Sequence, residues 1–297
     1  MVIKALVINS VLLLAAVSRM YPTPVNPGNN LLSMDGFYPI MHLVYDFRFQ
    51  DAEAILDCTT GNKSESRIAC MNLLWWKAMT DGNNQSYFEE LKHLSDQVLN
   101  EPAGIDDKPA IENISRLTGG IYQIRIAAIN DNKTAAFRTF LQILPNLKEI
   151  LDSPFAYEEY TLLSGVYHYA VGSLKKHFYF LRPFFLLMPS TEAETGRKLL
   201  MLCTQSKNKT IATEARYFLF KIEKEINSNF TLAEEHLNLL VLKHPGNIVY
   251  HLELLSLYRE TGRDSEKKEY EIRDLIGNSS LNPGQKYYLQ SLVSKQP

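Results

Sequence analysis

Residues 210–247, "TIATEARYFLFKIEKEINSNFTLAEEHLNLLVLKHPGN", decide the fold of this chain. Two apolar patterns with a period near 3.6 run through the segment, from Thr210 to Ile226 and from Thr231 to Lys243. The polar residues Asn227, Ser228 and Asn229 fall between them, so the segment reads as two antiparallel helices joined by a short turn. The chain then repeats itself. Tyr217 falls opposite His251, Phe220 opposite Leu254, Lys224 opposite Tyr258 and Ser228 opposite Gly262, each about 34 residues on. Within the first unit Ala233 is small enough for the second helix to approach the first closely. Phe230, Leu237 and Leu240 fill the seam, and Pro245 ends the hairpin and starts the next.

Working outward, thirteen segments between Phe37 and Ser294 show the same helical period, and the period-2 alternation of a strand is almost absent. Short turns join them, as if each were half of a hairpin. The expected fold class is all-α.

The spacing and the run Phe230, Ala233, Leu237, Leu240, Pro245, Asn247 resemble the tetratricopeptide-repeat family. Lys221 and Leu255 stand where that family carries a small residue, and Lys267 stands where it carries alanine. Earlier, "FRFQDAEAIL" looks like the start of a second repeat helix, with Phe49 and Ala52 in the aromatic and small positions. "AAINDNKTAAFRTFLQIL" reads as a helix end, a turn and another second helix. Together the resemblance covers most of residues 37–280. The segment "LLSGVYHYAVG", followed later by "MPSTEAETGRKLLMLC", is also similar to a motif of exported bacterial tetratricopeptide proteins and of a related eukaryotic family. In that motif a Gly-x-Tyr-x-Tyr helix and a helix near a Gly-x-x-x-Leu step flank an apolar loop. The resemblance implies a repeat domain over residues 37–297, with antiparallel helical hairpins stacked as a TPR-like right-handed solenoid. It also implies a concave wall of first-helix side chains, Phe218, Ile222 and Glu225 in one unit and Leu252, Ser256 and Arg259 in the next. Such a mixed wall suits an extended peptide or an amphipathic helix of a protein partner.

The first residues, "MVIKALVINSVLLLAAVSRM", place Lys4 ahead of an apolar run that ends in the small residues Ala16, Val17 and Ser18. Residues 1–18 are expected to be a signal peptide, and residues 19–36 a proline-rich lead-in, so the chain is read as exported, periplasmic or secreted. The chain has three cysteines. Cys58 and Cys70 either pair across neighbouring antiparallel helices or, with Cys203, are three buried thiols, and the expectation favours the thiols. Seven Asn-x-Ser/Thr triplets begin at Asn62, Asn84, Asn113, Asn132, Asn208, Asn229 and Asn278. They mark glycan acceptors in a eukaryotic secretory route and polar loops otherwise.

Phe178–Pro189, "FYFLRPFFLLMP", is too short to span a membrane and has Arg182 and Pro183 at its centre. It is either an apolar flap over the chain's own groove or a docking patch for a partner or membrane surface, carried by Phe180, Arg182, Phe184 and Phe185. The 31 basic and 33 acidic residues nearly cancel and are interspersed, which argues against nucleic acid as a partner. No residue pattern calls for a cofactor, a metal or a catalytic group. His168, with Glu158 and Glu159 nearby in sequence, is the one acid–base candidate, and it reads as the polar member of an aromatic helix face. His236, His244 and His251 read as surface groups. The function expected is a non-catalytic protein-binding scaffold of the cell envelope or secretory space. The alternative is a carrier or transport accessory that holds an apolar small molecule or lipid under the Phe178–Pro189 flap.

Overall fold

The computed structural model describes residues 37–56, 64–82, 84–100, 109–177 and 191–295. The signal and lead-in segments, Cys58, Asn62 and the aromatic stretch with Phe180, Arg182, Phe184 and Phe185 lie outside the described residues. Among those described the chain is all-α, with thirteen helices and no strand. The helices are α1 (Phe37–Tyr45), α2 (Phe49–Ile55), α3 (Ser64–Thr80), α4 (Ser86–Asn100), α5 (Pro109–Ile129), α6 (Lys133–Asp152) and α7 (Glu158–His177). They continue with α8 (Ala193–Cys203), α9 (Lys209–Glu225), α10 (Phe230–Lys243), α11 (Ile248–Glu260), α12 (Glu266–Asn278) and α13 (Pro283–Lys295).

Asparagine starts many of these helices. The side chains of Asn132, Asn229 and Asn247 accept from the backbone N–H of Ala135, Leu232 and Tyr250, each capping the helix that follows. Asn84 and Asn208 accept in the same way from Ser86 and Thr210. Four of the seven Asn-x-Ser/Thr triplets therefore sit at helix starts, where an asparagine oxygen satisfies an otherwise orphaned donor. A fifth, at Asn113, is buried within α5, where its amide donates to the Asn146 carbonyl at 3.2 Å and to the Tyr160 hydroxyl at 3.3 Å.

Helix ends share a second device. Four residues adopt left-handed backbone at the close of a hairpin's first helix: Phe47 (φ 58°), Asp131 (φ 50°), Ser228 (φ 52°) and Gly262 (φ 69°). At three of them the next residue's N–H reaches back five residues, Arg48 to Leu43, Asn132 to Ala127 and Arg263 to Tyr258, at 2.8–2.9 Å. This is the Schellman closure, which satisfies the last carbonyls and turns the chain. The pairs α1/α2, α5/α6 and α11/α12 thus reuse one kind of turn, while at α9/α10 the Asn229 N–H reaches six residues back, to Glu223, at 2.8 Å.

The chain divides into two compact units, 94–218 and 35–93 with 219–297, and the division falls inside α4 and α9. In the first unit α5 packs on α6, α6 on α7 and α7 on α8. The α7–α8 contact is closest. A Cβ on Gly196 would stand 2.2 Å from the backbone nitrogen of Tyr169, and one on Gly172 would stand 2.3 Å from that of Ala193. The glycines of the "LLSGVYHYAVG" and "ETGRKLL" segments are therefore where two backbones touch.

In the second unit α1, α2 and α3 pack together, α10 to α13 pack in succession, and α13 also packs on α3. Contacts between residues about 200 apart in sequence join these groups. The Gln285 amide donates to the Thr80 hydroxyl at 3.0 Å, and the Asn247 amide donates to the Tyr45 carbonyl at 2.8 Å. Cys70 is disulfide-bonded, so the expectation of three buried thiols does not hold, while Cys203 is a free, buried thiol.

Candidate functional site

The sequence directs attention to the facing surfaces of α9 and α11, the first helices of the two best-matched units. On α9, Lys221 and Lys224 are three apart and so share a face. Both are buried, and both reach Glu253 on α11. Lys221 Nζ lies 2.5 Å from one carboxylate oxygen and Lys224 Nζ 3.2 Å from the other. The network extends at each end. Lys221 also donates to Glu225 at 3.1 Å, while Lys224 meets the Ser256 hydroxyl at 3.1 Å and Glu260 at 3.3 Å.

The electrostatics follow from the geometry. Burial pushes the Glu253 carboxyl up, but the two ammonium groups beside it outweigh that and hold it below the ordinary glutamate value. Glu225 goes the other way. Burial raises its carboxyl more than Lys221 lowers it, and its second oxygen is buried with no hydrogen-bond partner among the described residues. The two lysines are thus committed to carboxylates inside the fold. Ammonium groups so placed join α9 to α11.

The six wall residues take different places. Ile222 and Leu252 are closed into the core. Glu225 and Ser256 are brought together as two ends of the lysine–glutamate network. Arg259 ties α11 to its successors, donating to Glu269 on α12 at 2.5 Å and to the Val293 carbonyl on α13 at 2.9 Å. Phe218 is half-buried beside Tyr217, at the last position of the first unit. The residues that organise this region, Lys221, Lys224 and Glu253, were not among those read from sequence. The signal was present in Lys221, a long cation where the repeat pattern carries a small residue.

The histidines separate in the same way. His244, expected at the surface, is fully buried, with Nδ1 3.2 Å from Asp46 and its ring centroid 5.2 Å from that of Tyr45. A polar ring is tolerated there because Asp46 supplies a partner. His251 is half-buried with Nε2 3.0 Å from the Pro245 carbonyl, and burial holds it below its ordinary value. His168 is half-buried beside Tyr167, nine residues beyond Glu159 on the same helix and so about 14 Å along its axis. Helix α7 alone therefore does not bring His168 and the Glu158–Glu159 pair together. Glu158 instead accepts from the Ser206 hydroxyl.

Outside the core, α10 presents apolar side chains to solvent. Leu242 is 79 % exposed and Leu239 43 %, with Leu232 half-buried one heptad before Leu239. Among the described residues no group of His, Cys, Asp or Glu gathers where it could hold a metal ion, and no helix is long and apolar enough to cross a membrane. Comparison with family models, with curated proteins and with solved structures gave no match to the chain.

Proposed function

We propose that the chain is a non-catalytic scaffold that binds a protein or peptide partner in an oxidising compartment, the cell envelope or secretory space. Its hairpins would stack as the TPR-like right-handed solenoid that the sequence resembles. The observation that carries the reading is the exposed apolar edge of α10, Leu239 and Leu242, three residues apart on one helix in water. Side chains of that kind gain free energy only when something covers them, at about 25 cal/mol per Å² removed from water. The interior points the same way, because Lys221, Lys224, Glu253 and His244 are spent on helix-to-helix contacts. The disulfide at Cys70 supports the oxidising compartment, since such bonds persist mainly outside the cytosol.

The test is site-specific photocrosslinking in the native host. A crosslinker at Leu242 captures a discrete protein, one at the exposed Arg273 of α12 does not, and Leu239→Ser removes the Leu242 adduct without lowering the unfolding midpoint. Identical adducts from both positions, or none from Leu242, would sink the scaffold reading. A lipid or small-molecule adduct at Leu242 would replace it with the carrier alternative.

A further inference from the structure

Helices α9 and α11 bury apolar side chains on more than one face. On α9 these include Leu219, Phe220 and Ile222, and on α11 Leu252, Leu254, Leu255 and Leu257. Burial of this kind is non-directional, and one leucine takes the place of another when a helix slides by a turn. Apolar area alone therefore holds the two helices together without choosing a register between them. The repeat in the sequence adds a second ambiguity. One period after α11 the chain supplies another helix, α13, so α9 has two candidate partners, and mispairing of this sort is a characteristic failure of repeat proteins.

The buried charges remove both ambiguities. Lys221 and Lys224 need a carboxylate at one height on the facing helix, and Glu253 is the acidic residue at the middle of α11. Helix α13 carries no acidic residue. A slip of one turn either way takes Lys221 from Glu253 and sets it opposite Tyr250 or Leu257, both buried and neither a carboxylate. One period on from the two lysines stand Leu255 and Tyr258, so the charged seam is not repeated. We propose that the Lys221–Lys224–Glu253 network is a register lock, which admits one pairing of α9 with α11 and excludes the slipped and exchanged ones. It does so at a cost in stability relative to an apolar seam, as a single buried polar residue does in a coiled coil. Lys224 also reaches Ser256 and Glu260, so the axial position is set at two heights along α11. The lock concerns how the fold is specified and is independent of any partner on α10.

The test is the full chain with Lys221→Met, Lys224→Met and Glu253→Met together, read by amide NMR and near-ultraviolet circular dichroism. The triple variant keeps its helical signal and unfolds in urea at or above the midpoint of Glu253→Gln. Residues of α9 and α11 nevertheless give a second set of amide peaks, at about 10 % or more of the first, while those of α5 and α6 stay single. Leu255→Ala is the control, because it removes buried apolar area from α11 and leaves the network intact. It lowers the midpoint and keeps one set of peaks. A triple variant with one sharp set and the near-ultraviolet spectrum of the wild type overturns the lock, since apolar packing has then chosen the register. Doubling spread equally over α5 and α6, or the same doubling in Leu255→Ala, overturns it as well, because the loss is then one of general stability. Should the triple variant lose helical circular dichroism, Lys221→Met with Glu253→Met carries the test with the same outcomes, since Lys224 keeps Ser256 and Glu260.

Discussion

Two helix pairs in this molecule are held together by opposite means. Where α7 meets α8, side chains have been removed until backbone touches backbone, at Gly172 against Ala193 and at Gly196 against Tyr169. Where α9 meets α11, long side chains have been kept, and Lys221 and Lys224 close on Glu253 in a buried network. The first contact depends on shape alone and has no slack. The second depends on charge, and its strength varies with protonation. One sequence thus joins helices in two ways that respond to different perturbations.

The largest expected effect tests the tight contact. Gly196→Ala places a methyl where the nearest atom is backbone, 2.2 Å away, so the helices must separate along their length. Overpacking of this kind costs about 3 kcal/mol or more, read as a fall in the urea midpoint. Gly277→Ala is the control, because a Cβ there meets nothing within 4 Å. It should leave stability unchanged or raise it by up to about 1 kcal/mol, the helix-propensity difference. If both substitutions are harmless, backbone contact is not what joins α7 to α8.

Next in size is the charged contact. Glu253→Gln keeps the shape but leaves two buried ammonium groups facing a neutral amide, a loss of about 3 to 5 kcal/mol. Replacing Lys221, Lys224 and Glu253 together by methionine should recover most of it, since a buried ion group and a well-packed apolar one of similar volume are often equivalent. A triple variant no more stable than Glu253→Gln would show that the charges supply more than mutual neutralisation.

Acid should also distinguish the two contacts. Glu253 is held below the ordinary value of 4.5, so its contribution is complete above 4.5 and is lost as pH falls through its lower folded value. Glu225 is held above 4.5, so the folded state takes up its proton first. Its contribution therefore grows as pH falls from that raised value towards 4.5. Lys221 and Lys224 face both carboxylates, and Glu260 faces Lys224. The difference in urea stability between wild type and Glu225→Gln should accordingly increase in favour of wild type on mild acidification. A flat difference from neutral pH to 4.5 would mean that Glu225 is not held as the geometry indicates. The glycine contact contains no titrating group, and Gly196→Ala should cost the same at every pH.

How far sequence reaches depends on which kind of contact is involved. The helical period and the turn at Asn227–Asn229 were legible because each records a local preference. The alignment of Ser228 with Gly262 was legible for the same reason, and both residues prove to be left-handed. The asparagine triplets were seen, but their role as caps was not, because a cap is recognised by the helix it starts and not by the threonine or serine two residues on. The lysine–glutamate network was missed because Lys221 and Glu253 are 32 residues apart and each looks like an ordinary surface charge. Burial of His244 was missed because Asp46, its partner, is 198 residues away.

The smallest effect concerns those two left-handed residues. Ser228 and Gly262 hold equivalent places one period apart, with φ of 52° and 69°. A residue with a Cβ pays about 1 kcal/mol to stay left-handed, while glycine gives up more freedom on folding by roughly half to all of that amount. The two terms nearly cancel at an exposed turn. Ser228→Gly should therefore raise stability by no more than about 0.5 kcal/mol. Gly262→Ser, which acquires the strain at a turn with nothing within 4 Å to compensate, should lower it by a similar amount. Measured together in thermal unfolding, the two substitutions should shift the midpoint in opposite directions. A shift of the same sign in both would mean that the two turns, though both left-handed at this position, differ in what holds them, as their closing bonds of six and five residues do, and that the period seen in the sequence does not carry over to their energetics.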